Sequence, residues 1–107
     1  MAQIPIDIPD LIEELKQARG QMIQGPHGTL FNVQPLPQPG QGCRERWVIW
    51  HSYANGVPIS KTEVAITLGG QAIVIHPRFR WDDVDDRRKG PIALRDVLGA
   101  IYDEDVG

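Results

Sequence analysis

The chain has 107 residues, a net charge of −3 at pH 7 and a sequence pI near 5.5. A hydrophobic share of 41% and a charged share of 23% are typical of an ordinary globular chain, and we expect one domain over residues 1–107. The net negative charge argues against a positively charged surface that would bind the phosphate backbone of nucleic acid, so we do not expect nucleic acid as a partner. No apolar run is long enough for a membrane span, and no disulfide can form within a chain whose single cysteine is Cys43, which together predict a cytoplasmic protein without a membrane partner.

The first predicted element is a helix that begins near Asp7 and ends before Gly20. Asp7 can cap the first turn, and Lys16 and Arg19 suit the negative end of the helix dipole. Apolar residues recur at helical spacing, which predicts a stripe packed against the core. The stripe consists of Ile8, Leu11, Ile12, Leu15 and Ala18.

A short hairpin and a connector are predicted after this helix. The hairpin pairs residues 21–24 with residues 29–33 around the turn at residues 25–28. Proline and glycine then interrupt residues 35–42, because proline lacks the amide hydrogen that a central strand needs. The segment is therefore predicted to be an extended connector inside the single domain.

Asn55-Gly56 predicts the next hairpin, because this dipeptide is a strong signal for a two-residue turn. The first strand covers residues 46–53. The two-residue turn predicts four cross-strand pairs. They are Trp47 with Val64, Ile49 with Thr62, His51 with Ser60, and Tyr53 with Pro58.

Gly69-Gly70 predicts a second two-residue hairpin within residues 62–81. With that turn, Ile66 lies opposite Ile73 and Val64 lies opposite Ile75, and together with Trp47 and Ile49 they make one apolar face. Phe79 and Trp81 are predicted to continue this face along the same last strand. A register error of one residue would exchange the two faces, so the prediction depends on the length of the turn.

A second amphipathic helix is predicted after the charged loop at residues 82–90. Its apolar positions are Ile92, Leu94, Val97, Leu98 and Ile101. The order of elements predicts an α+β fold: a two-layer domain with an antiparallel sheet of about five strands. Both terminal helices are expected to pack on the apolar face of this sheet.

The opposite face of the predicted sheet is our candidate binding surface. Tryptophan and arginine, which are enriched at interface hot spots, both occur on it. The candidate interface residues are Val48, Trp50, Lys61, Glu63, Val74, His76, Arg78 and Arg80. We therefore expect a noncatalytic protein-binding or assembly module that meets a protein partner or forms a homodimer. The alternatives are an exposed face with a few apolar residues and no partner, and a face on which a terminal helix covers Trp50.

Catalytic and metal-binding motifs are weak in this sequence. The predicted registers place His51 and His76 on opposite faces, so we expect no shared metal site or proton relay between them. The acidic run at residues 82–86 lacks the turn glycine and distal glutamate of an EF-hand loop. We expect neither metal nor cofactor and no enzymatic activity, and the alternative is a small enzyme or ligand-binding domain with a pocket near His51 and Tyr53.

Overall fold

The computed structural model describes residues 8–82 and 93–106, and it places six antiparallel strands in one sheet with two helices beside it. The strands lie in the sheet in chain order, from β1 at one edge to β6 at the other. The elements are α1 (Ile8–Ala18), β1 (Met22–Gln24), β2 (Leu30–Pro35), β3 (Cys43–Ser52), β4 (Pro58–Thr67), β5 (Ala72–His76), β6 (Phe79–Asp82) and α2 (Leu94–Val106). The predicted α+β class is confirmed, with six strands instead of about five.

Both helices cover the same face of the sheet, which we call the inner face. Their apolar stripes meet the sheet in one hydrophobic core. The helical part of this core is Leu11, Ile12, Leu15, Ala18, Leu94, Val97 and Ile101, and the sheet contributes Phe31, Val33, Trp47, Ile49, Val64, Ile66, Ala72, Val74 and Trp81. We call the opposite side of the sheet the outer face, and neither described helix lies on it.

Helix α1 ends where the sequence predicts. Gly20 has a φ of +74°, a left-handed conformation that glycine adopts without steric penalty. Its amide donates to the carbonyl of Val33 at 2.9 Å, which attaches the end of α1 to β2. The predicted cap, Asp7, lies outside the described residues.

Helix α2 begins with two hydrogen bonds from backbone amides to carboxylates. The amide of Ala93 donates to Oδ2 of Asp96 at 3.2 Å, and the amide of Leu94 donates to Oε1 of Glu14 at 3.3 Å. A helix N-terminus attracts negative charge, so Glu14 on α1 fixes the start of α2. Most of the predicted charged loop, and Ile92, fall in the undescribed segment 83–92.

The register between β3 and β4 is confirmed along most of its length. Trp47 pairs with Val64, Ile49 with Thr62, and His51 with Ser60. The last predicted pair, Tyr53 with Pro58, is wrong, because a bulge after His51 pairs Ser52 with Pro58. The connection is consequently longer than the two-residue turn that Asn55-Gly56 predicts, and the amide of Tyr53 donates to the carbonyl of Val57 at 2.9 Å.

The predicted register between β4 and β5 is wrong by one residue. The amide of Thr67 donates to the carbonyl of Gln71 at 2.8 Å, which leaves a three-residue loop at 68–70. Gly70 takes the left-handed position of this loop with a φ of +85°, as three-residue hairpins require. Ile66 therefore pairs with Ala72, and Val64 with Val74.

This shift exchanges the faces of every residue in β5. Val74 and His76 turn to the inner face, where both are buried, while Ile73 and Ile75 turn to the outer face. Their predicted orientations were therefore wrong. The chain also reverses at Pro77-Arg78, so the predicted last strand is two strands, β5 and β6, joined by a turn that pairs His76 with Phe79. Proline suits such a turn because its φ is fixed and it offers no amide hydrogen.

Candidate functional site

The outer face carries an apolar strip that crosses three neighbouring strands, β3, β4 and β5. Val48 and Ala65 are buried within it by their neighbours, whereas Trp50 is 43% exposed and Ile75 is 40% exposed. Ile73 is half-buried beside them. An antiparallel sheet can leave one face in solvent, but exposed tryptophan and isoleucine on that face are features of contact surfaces.

Charged side chains of both signs are interspersed with this strip. The Nζ atom of Lys61 lies 5.6 Å from the ring centroid of Trp50, a cation–π contact between neighbouring strands. Nη1 of Arg46 lies 3.7 Å from Oε1 of Glu63. Arg80 on β6 is exposed and pairs with Ile75 across the sheet. The outer face is thus apolar in places and mixed in charge.

A second candidate lies buried between α2 and the inner face. The carboxylate of Asp105, in the last turn of α2, accepts three side-chain hydrogen bonds. Ser60 Oγ donates to Oδ2 at 2.5 Å, His51 Nδ1 donates to Oδ2 at 2.6 Å, and His76 Nε2 donates to Oδ1 at 2.8 Å. The side chains are 0% exposed at His51, 1% at His76 and 5% at Asp105. We call these four residues the carboxylate cluster.

The second nitrogen of each imidazole determines whether the carboxylate cluster can bind a metal ion or react with a ligand. Nδ1 of His76 accepts the amide hydrogen of Arg78 at 3.0 Å, so the proton shared with Asp105 is on Nε2 and that nitrogen has no lone pair for a metal. No group of three or more histidine, cysteine, aspartate or glutamate side chains in residues 8–82 and 93–106 is arranged to hold a metal ion. Nε2 of His51 is buried without a hydrogen-bond partner among these same residues. The cluster therefore joins the helix to the sheet, and both of its imidazoles are buried away from solvent.

The carboxylate cluster also sets the ionisation of Asp105. Burial alone would raise the pKa of this carboxyl, but the hydrogen bonds from Ser60, His51 and His76 lower the pKa below its usual value. A negative charge in the last turn of a helix is disfavoured by the helix dipole. The three donors offset this cost and keep the carboxylate ionised.

We expect Asp105 to make the folding free energy depend on pH in the acid range. Because its folded pKa is lowered, the contribution is present above the unfolded pKa and is lost as pH falls through the folded pKa. Urea unfolding of the wild type and of Asp105→Asn should be measured from neutral pH to below pH 4, near the usual aspartate pKa of about 4. The wild type should lose more stability than the variant over this interval, and equal pH dependence would contradict the assignment.

Aromatic rings extend the carboxylate cluster along the end of the sheet. The ring of His51 stacks on that of Phe31 with a centroid distance of 4.5 Å and an interplanar angle of 11°. The ring centroid of Tyr102 in α2 lies 6.1 Å from that of His51 and 6.1 Å from that of His27. His27 lies in the turn between β1 and β2, where its φ is +55°. The rings fix the orientation of His51 toward Asp105.

The structure places seven of the eight sequence-predicted interface residues on the two faces of the sheet. Val48, Trp50, Lys61, Glu63 and Arg80 lie on the outer face. Val74 and His76 lie on the inner face, so they cannot belong to an outer-face surface.

Arg78, the remaining predicted interface residue, is in the β5–β6 turn. Its Nη1 atom donates to the carbonyl of Glu104 at 2.9 Å. This bond satisfies a free carbonyl at the C-terminus of α2, where a cation is also favoured by the helix dipole. The structure therefore gives Arg78 a contact within the chain.

The alternative pocket residues are not brought together. His51 is fully buried beneath α2, whereas Tyr53 is 52% exposed in the connection after β3. The expectation that His51 and His76 point to opposite faces was wrong, because the one-residue shift in β5 turns His76 inward. Both imidazoles instead reach the same carboxylate.

Sequence reasoning missed Asp105 and assigned no role to Ser60. The signal for Asp105 was its spacing, since it follows Ile101 by four residues and Val97 by eight, and so continues the buried stripe of α2. A carboxylate in that stripe needs buried donors. Ser60 could have been found from its correctly predicted pairing with His51.

Comparisons of the chain with protein-family models, with curated proteins and with solved structures found no match. Neither helix in the described part of the chain has the length and apolar character that crossing a membrane requires.

Proposed function

We propose that this protein is a noncatalytic assembly module that binds a second copy of itself through the outer face of its sheet. The observation that carries this proposal is the outer face itself. Both described helices pack on the inner face, and Trp50 and Ile75 remain exposed on the outer one. Interface hot spots are often tryptophan residues surrounded by well-packed side chains, and Trp50 has the buried Val48 beside it on the same face.

The buried position of the carboxylate cluster favours a noncatalytic function. A general base must come within hydrogen-bond reach of its substrate, directly or through a water. The His51 side chain is 0% exposed and its ring is stacked on Phe31. The attachment of α2 to the sheet is a sufficient structural role for the cluster.

The charges on the outer face favour a second copy as the partner. Lys61 and Glu63 have opposite signs and lie two residues apart on the same face of β4. A two-fold symmetric interface uses the same patch on both subunits, so a patch with both signs can be complementary to itself. An apolar strip of a second sheet would also cover Trp50 and Ile75, as in sheet-on-sheet packing.

We expect Trp50→Ala to weaken the dimer by about 1 to 4 kcal/mol, because the substitution removes the largest exposed apolar side chain of the outer face. The measurement is sedimentation equilibrium over a range of micromolar concentrations, with urea unfolding beside it. Tyr53→Ala is the matched control, since Tyr53 is an aromatic residue of similar exposure that lies beyond the end of β3.

A wild-type protein that remains monomeric at high micromolar concentration would contradict the proposal. Equal weakening by Trp50→Ala and Tyr53→Ala would place the interface elsewhere. A loss of folding stability in Trp50→Ala with unchanged association would show that Trp50 supports the fold and not the interface.

A further inference from the structure

The sheet register places the apolar and charged residues of the outer face in two neighbouring rows. In one row, Trp50 of β3 pairs with Lys61 of β4, and in the next row Val48 pairs with Glu63. The rows are separated by two residues along each strand, a distance of about 7 Å. Each row therefore has an apolar residue on β3 and a charged residue on β4, and the two charges are opposite.

We propose that the two-fold axis of the dimer lies in the interface and crosses the strands between these two rows. Rotation about this axis exchanges the rows and leaves β3 over β3 and β4 over β4. Trp50 of one copy then lies over the side chains that surround the buried Val48 of the other, and Lys61 of each copy pairs with Glu63 of the other. This arrangement rests on the proposed function, which it extends by naming the residues that determine how the copies fit together.

The charges favour this axis over one that runs along β4. An axis that ran along β4 would place Lys61 over Lys61 and Glu63 over Glu63, and like charges in direct apposition oppose association. Packed sheets cross at about 30° because of their twist, and the long side chains of Lys61 and Glu63 can span such an offset. A carboxylate has two oxygens, so Glu63 can accept from Lys61 of the other copy as well as from its own Arg46.

The arrangement is tested by reversing one charge at a time. Lys61→Glu places two glutamates opposite each other twice in the dimer, and Glu63→Lys places two lysines opposite each other twice. We expect each variant to have a dimer dissociation constant about tenfold higher than that of the wild type. An equimolar mixture of the two should form a heterodimer with near wild-type affinity, because both contacts then join opposite charges.

Native mass spectrometry and sedimentation equilibrium would measure the two homodimers and the heterodimer. Lys16→Glu is the matched control, since Lys16 is an exposed lysine of α1 away from the outer face, and it should leave dimerisation unchanged. Urea unfolding checks that each variant folds. If Glu63→Lys unfolds through loss of the contact with Arg46, Glu63→Gln is used in place of Glu63→Lys. A mixture of Glu63→Gln with Lys61→Glu should still favour the heterodimer over the Lys61→Glu homodimer.

The outcomes separate the axis from the proposed function. Preferential heterodimer formation supports the axis. If Trp50→Ala weakens the dimer but the charge variants associate as the wild type does, the outer face is the interface and the proposed axis is wrong. If the wild type is monomeric, the proposed function and the axis both fail.

Discussion

Asp105→Ala is expected to lower the free energy of unfolding by about 3 to 5 kcal/mol, because it removes the acceptor of three donors, two of which are on buried imidazoles. The donors on Ser60, His51 and His76 have their side-chain partner in this one carboxylate. Without it, each of the two buried imidazoles loses the acceptor of its N–H group, and an unpaired buried donor costs about 1 to 3 kcal/mol. Urea or thermal unfolding at neutral pH measures the loss.

Asp103→Ala is the control for this substitution. Asp103 lies in the same turn of α2 and is exposed, so its replacement changes helix propensity and charge without touching the carboxylate cluster. We expect an effect within about 0.5 kcal/mol, as for most surface positions. Comparable losses at Asp103 and Asp105 would show that the cluster contributes little to folding.

Two residues of the carboxylate cluster are next in sequence to residues of the outer face. His51 is the chain neighbour of Trp50 on β3, and Ser60 is the chain neighbour of Lys61 on β4. Successive side chains of a strand point to opposite faces, so the bonds from His51 and Ser60 to Asp105 hold the register that aligns Trp50 with Lys61. Asp105→Ala should therefore weaken dimerisation as well as folding if the proposed function is correct.

Local signals in the sequence predicted most of the fold. Gly20 ends α1 as expected, and the pairs from Trp47–Val64 to His51–Ser60 follow from the hairpin signal at Asn55-Gly56 and the alternation of apolar residues. Even the bulge after His51, which that signal does not reveal, left these pairs unchanged. The apolar stripes of both helices were sufficient to place them on one face of the sheet.

The carboxylate cluster could not be predicted because its assembly depends on distant residues and on one turn. Two glycines suit either a two-residue or a three-residue loop, and only the hydrogen bond between Thr67 and Gln71 decides between them. The wrong choice turned His76 away from His51 and so hid their common partner. Asp105 follows His76 by 29 residues, and no local pattern joins them.

The register of β5 gives the second large expected effect. Ile66 is fully buried on the inner face, so Ile66→Ala should cost about 2 to 5 kcal/mol of unfolding free energy. Ile73 lies on the outer face and is half-buried, so Ile73→Ala should cost about 1 kcal/mol or less in a monomer. Urea unfolding at submicromolar concentration limits any contribution from an outer-face dimer. Equal losses at the two positions would favour the two-residue loop, which buries Ile73 opposite Ile66 and turns His76 away from Asp105.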